Sequence, residues 1–176
     1  MTLEDGSKAP GEQYSFFGAL NGESYNKLSD FSVTLMTGGN FHECESSKIG
    51  NQSLATVTAP GDSDATLTGY IYNDGGSGNA TWMNMLTFKV TNPDVTSFEV
   101  WILDSNVSED WNQNAAIGIS VNGGAAVTHT TVQAPSALEW TQFTITGASP
   151  SDVFTVSVQS DSDSAKRTLG GITFKR

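Results

Sequence analysis

Ile117-Gly118-Ile119-Ser120-Val121-Asn122-Gly123-Gly124 decides the fold class. Apolar residues alternate with small or polar ones up to Val121, the period-two pattern of a half-buried strand. Asn122-Gly123 then offers two residues that tolerate positive φ, as a type I′ hairpin turn requires. Outward from this stretch the same grammar repeats. Residues 31–35, 54–58, 65–72, 81–90, 95–104, 143–145, 153–159 and 172–174 read as strands. Turn signals separate them: Thr37-Gly38-Gly39-Asn40, Pro60-Gly61-Asp62, the Gly-rich run 73–78, Asn92-Pro93-Asp94 and the run 148–152. No window of about 12 residues carries a 3.6-residue apolar stripe, although residues 23–30 have room for one helical turn. The pattern predicts an all-β protein, an antiparallel β-sandwich of jelly-roll type with about ten strands.

The chain has 176 residues, the length of a single sandwich domain with a sizeable core. Residues 1–13 are polar and are expected to be a tether from a neighbouring module or the first edge strand. Lys and Arg number 8 against 19 Asp and Glu, a net charge of −11. Such a surface repels phosphate backbones and argues against nucleic acid as a partner. The longest apolar run, Val100-Trp101-Ile102-Leu103, is four residues, far short of the roughly 20 that a membrane span needs. Cys44 stands alone, so no internal disulfide forms. Residues 1–5 lack the basic start and apolar stretch of a leader peptide. Asn51, Asn79 and Asn106 begin glycosylation-type triplets, which chance explains in a chain so rich in Asn, Ser and Thr. The acidic, Lys-poor, Thr/Ser/Asn/Gly-rich balance resembles that of extracellular bacterial β-proteins, and the expected location is secreted or extracellular.

Phe98 to Leu103 followed by Asp104-Ser105-Asn106, the strand Glu139-Trp140-Thr141-Gln142-Phe143-Thr144-Ile145, and the terminal Leu169-Gly170-Gly171-Ile172-Thr173-Phe174 carry a resemblance. Over residues 80–176 the sequence resembles secreted bacterial jelly-roll domains, among them carbohydrate-binding modules and adhesin sandwiches. The resemblance implies a module of a larger secreted protein, with a structural Ca²⁺ in an acidic loop. Ca²⁺ takes six to eight oxygens, which turns supply well. Asp104, Asn106 and Asp110 are the leading candidate ligands, ahead of Asp62/Asp64 and Asp161/Asp163. The alternative is that Asp and Ser simply populate turns.

Neither histidine, His42 nor His129, sits in a metal or nucleophile motif. Cys44 lies between Glu43 and Glu45, and two carboxylates raise rather than lower a thiol pKa. Nothing singles out a carboxylate pair for glycoside hydrolysis. The expectation is a protein that is not an enzyme.

The aromatics are more informative. A pyranose ring packs its C–H face on an indole or phenol, while its hydroxyls need planar amide or carboxylate partners. Trp111, within Glu109-Asp110-Trp111-Asn112-Gln113, fits that recipe in the longest loop, residues 104–115. Its alternative role is a loop anchor folded onto the sandwich. Glu99 and Trp101 share the face opposite Phe98, Val100 and Ile102. Tyr70 and Tyr72 share one strand face, and Trp82 follows the Gly-rich loop. For Trp82, Trp101 and Trp140 the core reading leads. The candidate ligand-binding set is therefore Trp111, Trp101, Trp82, Tyr72, Tyr70, Asn112, Gln113 and Glu99. The first functional reading is a non-catalytic carbohydrate-binding module for a neutral polysaccharide. The alternatives are a structural or adhesive cell-surface sandwich, and a small glycan-active enzyme.

Overall fold

The computed structural model describes residues 14–20, 23–27, 30–36, 41–45, 48–49, 52–54, 69–73, 82–107, 112–130, 137–160 and 167–176. These residues form fourteen strand segments and no α-helix. They are β1 (Tyr14–Leu20), β2 (Glu23–Lys27), β3 (Phe31–Leu35), β4 (Phe41–Glu45), β5 (Lys48–Ile49), β6 (Gln52–Ser53), β7 (Gly69–Asn73), β8 (Trp82–Val90), β9 (Ser97–Val107), β10 (Asn112–Val121), β11 (Val127–Thr130), β12 (Ala137–Thr146), β13 (Phe154–Ser160) and β14 (Arg167–Lys175).

Two antiparallel sheets make an all-β sandwich. Sheet A runs β2-β1-β14-β9-β12, and β7 with β4 continues it beside the start of β14. Sheet B runs β3-β8-β13-β10-β11. The first residues of β10, Asn112 and Gln113, still pair with Val107 and Asn106 of β9 before the chain crosses to sheet B. From β8 onward the chain winds back and forth between the sheets. β8 lies in B, β9 in A, β10 and β11 in B, β12 in A, β13 in B and β14 in A.

Alternation dictates which residues fill the space between the sheets. Phe98, Val100, Ile102, Phe143, Ile172 and Phe174 enter from sheet A, and Phe31, Leu86, Phe88, Ile117, Ile119, Phe154, Val156 and Val158 from sheet B. Aromatic rings dominate this core. Phe88 stacks on Phe154 at 4.8 Å, Phe31 stacks on Phe174 at 4.2 Å, and Phe98 meets Phe31 edge-on at 4.9 Å.

The expected turn at Asn122-Gly123 is present. Both residues have positive φ, 52° and 73°, and Gly124 N–H donates to Val121 O at 2.9 Å. Asn122 also bonds to the turn of the neighbouring strand. Its Nδ2 donates to Asp152 Oδ1 at 2.8 Å, and its Oδ1 accepts from Val153 N–H at 2.9 Å. This locks the β10–β11 turn to the turn ahead of β13.

Three expectations change. Residues 23–27 form β2 instead of a helical turn, because they complete an antiparallel pair with β1. The expected loop 104–115 is largely strand, since β9 continues to Val107 and β10 starts at Asn112. Strand segments exceed the expected ten because short pairs such as β5–β6, with two residues each, carry no readable period. Residues 1–13 and 55–58 lie outside the described residues.

Candidate functional site

The sandwich has two outward faces, and they differ. On sheet A, directly opposed residues place Leu103 beside Trp140, Trp101 beside Gln142, and Glu99 beside Thr144, all turned away from the core. The parity expected for Glu99 and Trp101 therefore holds. Trp101 is half-buried, and its indole Nε1–H donates to Glu99 Oε2 at 3.2 Å. The polar edge of this indole is already occupied within the protein. Leu103 is fully buried although it faces outward, at 0% exposure. Gly170 is the extra residue of a bulge in β14, between the pairs Leu169–Asp104 and Gly171–Leu103. A Cβ at Gly170 would collide with the Leu103 side chain, 2.9 Å from its Cγ. Thr173, paired with Trp101 on one side and Phe16 on the other, is 1% exposed, and its Oγ1 has no hydrogen-bond partner. Tyr70 and Tyr72 are half-buried on β7 with ring centroids 6.0 Å apart. Sheet A thus gathers aromatic side chains on an outward face that is mostly covered.

Sheet B is the open case. Trp82 at the start of β8 is 39% exposed, the most exposed of the tryptophans whose burial is described. A bulge is the cause. Asn84 pairs with Ser157 and Leu86 with Val156, so Met85 is the extra residue. Leu86, Phe88 and Val90 point into the core, and strict alternation from them would send Trp82 and Asn84 inward too. The bulge shifts the phase by one residue. Met85 enters the core, at 0% exposure, while Trp82 and Asn84 turn to solvent. The core reading of Trp82 is corrected on this ground.

Amides and hydroxyls surround this indole. Gln159 lies directly opposite Trp82 on β13, and Asn84 is its next neighbour on the same face of β8. Ser157 Oγ donates to Asn84 Oδ1 at 2.7 Å, which fixes the amide and keeps its NH2 group as a donor. An indole face with planar amides beside it is chemically suited to a sugar ring.

The remaining candidates fare as follows. Trp111 and Asp110 lie outside the described residues. Asp104 and Asn106 belong to β9, and Asn112 and Gln113 to β10, but their side chains lie outside the described set. Asp104 and Asn106 therefore sit on a strand rather than in the loop expected of Ca²⁺ ligands. Among the described residues no three His, Cys, Asp or Glu side chains gather as a metal site. The structure does not bring Trp82, Trp101 and the Tyr70/Tyr72 pair to one face. Trp82 belongs to sheet B, and the others belong to sheet A. His129, on β11, packs edge-on against Phe143 at 4.6 Å while remaining exposed.

No family model matches the chain, and no curated protein matches it. Among solved structures the chain is similar to an arabinose-bound α-L-arabinofuranosidase at 14% identity and a TM-score of 0.42. The match covers 92% of this chain and 29% of that one. A likeness this low assigns no activity. No helix among the described residues is long and apolar enough to cross a membrane.

Proposed function

We propose that the chain is a non-catalytic, extracellular module that holds a neutral polysaccharide on the outer face of sheet B. The observation that carries the reading is the 39% exposed indole of Trp82, flanked by Asn84 and by Gln159. A sugar ring stacked on that indole loses little hydration on its far side, and amides supply the directional hydrogen bonds. A module of this kind acts by keeping whatever is attached to it close to the polymer, which raises effective concentration.

Affinity electrophoresis through gels containing neutral polysaccharides tests the proposal. Wild-type protein is retarded by at least one polymer, and Trp82→Ala weakens that binding by at least about tenfold, or about 1.4 kcal/mol. Equal retardation of the two proteins would place sugar binding away from Trp82, and no retardation of the wild type across a broad panel would favour a structural sandwich. Release of reducing sugar by the wild type would favour an enzyme instead.

A further inference from the structure

The register of sheet B places more than Trp82 on this face. Three cross-strand rows can be followed through the pairings. The first is Thr34–Thr87–Thr155–Ser120, running over β3, β8, β13 and β10. The second is Asn84–Ser157–Gly118–Thr128, over β8, β13, β10 and β11, and the third is Trp82–Gln159–Ala116, over β8, β13 and β10. Strand geometry spaces side chains about 4.8 Å apart within a row and successive rows about 6.8 Å apart. The result is a grid of hydroxyl and amide groups with one indole at its corner.

Two properties of the grid narrow what it can hold. None of these eleven positions is charged, although the chain carries 19 acids and 8 bases. Lys89, opposite Ser32, begins only beyond the first row. A neutral partner can therefore settle here without stripping water from an ion. In addition, Thr, Ser, Ala and Gly are short, so these rows raise no walls of a groove. Gly118, near the centre, is buried against the neighbouring strand: a Cβ there would lie 3.2 Å from Thr128 Cγ2 and 3.3 Å from Val127 O, and its neighbours would have to give by a few tenths of an ångström. Hydroxyls can donate and accept in turn, and β-branched Thr is stiff at χ1, so a lattice of them meets sugar hydroxyls at low entropic cost.

A lone soluble chain on such a face would be gripped from one side only, on one row. We infer that the ligand is the packed surface of an insoluble neutral polysaccharide, docked flat across β3, β8, β13, β10 and β11 and engaging several rows at once. This rests on the sugar-binding reading of Trp82 and goes beyond it by naming the physical form of the ligand.

The probes are microcrystalline cellulose and crystalline chitin, with soluble cello- and chito-hexaose as their counterparts. Depletion assays on the solids and calorimetry on the hexamers use the full chain, with Thr155→Glu and Thr34→Glu as variants whose folding is checked by circular dichroism. The expected result is binding to a solid at least tenfold tighter than to its hexamer, and a further tenfold loss on the solid for each charged variant. Should Thr155→Glu fail to fold, Thr34→Glu at the exposed edge of the grid gives the same reading. Hexamers bound as tightly as the solids, or solids bound equally well by the folded charged variants, would overturn the inference and leave the Trp82 reading standing. If neither solids nor hexamers bind while another neutral polymer retards the wild type in a Trp82-dependent way, the inference alone is lost. If no neutral polymer binds at all, both readings are lost.

Discussion

The outward faces of the two sheets are built by one alternation rule and end in opposite states. Sheet A carries Trp101, Trp140, Tyr70 and Tyr72, yet Leu103 and Thr173 on that face are sealed, and the Trp101 indole hydrogen-bonds to Glu99. Sheet B has one indole among its described outward residues, and that one is open. The difference teaches that the number of aromatic rings on a face says little about its role. What matters is whether the rings are exposed and whether their polar edges are already satisfied.

Truncation at the two faces should separate them most. Leu103→Ala removes a fully buried side chain and is expected to cost about 2–5 kcal/mol. Trp82→Ala should change stability by no more than about 1 kcal/mol, its effect falling on ligand retention. Urea unfolding of the two variants checks this directly, and equal losses would erase the distinction between the faces. Gly170→Ala comes next. The added methyl meets Leu103 in a filled space, so about 1–3 kcal/mol of destabilisation is expected from overpacking. The double variant Gly170→Ala/Leu103→Ala should recover part of that loss, because the clash and the cavity occupy the same place.

The smallest effect sharpens the comparison from the other side. Thr173 holds a buried hydroxyl without a partner, which ordinarily costs about 1–3 kcal/mol. Replacing it with Val, which keeps the shape, should leave stability unchanged or raise it by about 1 kcal/mol. A thermal melt decides this. Clear destabilisation by Thr173→Val would mean that the hydroxyl serves the covered face after all.

The fold was legible wherever the alternation was regular. Ile117 and Ile119, Phe154 to Val158 and Phe98 to Ile102 follow the burial that parity assigns, whereas Val121 at the end of β10 is 39% exposed, and Asn122-Gly123 makes the expected turn. Legibility failed where pairing, rather than period, makes the strand. β2 has no apolar stripe and exists because β1 lies beside it. The candidate site was half legible. Trp82 is among the candidate residues, but the core reading leads there, and continuous alternation back from Leu86 and Phe88 would also turn it inward. The clue lay in Met83-Asn84-Met85-Leu86. Two apolar residues stand adjacent at Met85-Leu86, which breaks a period of two and marks a bulge. The hydroxyl rows were not legible, since each row is assembled from strands distant in sequence and only register brings them together.

That same winding governs when the molecule becomes whole. The final strands of the chain are the middle strands of the architecture: β13 is wedged between β8 and β10, and β14 between β1 and β9. A ribosome that has released everything up to residue 150 has delivered the pairs β1–β2, β4–β7, β9–β12, β3–β8 and β10–β11 with raw edges where β13 and β14 belong. Assembly must then wait for β13 and β14, and until they emerge the exposed edges are open to wrong partners.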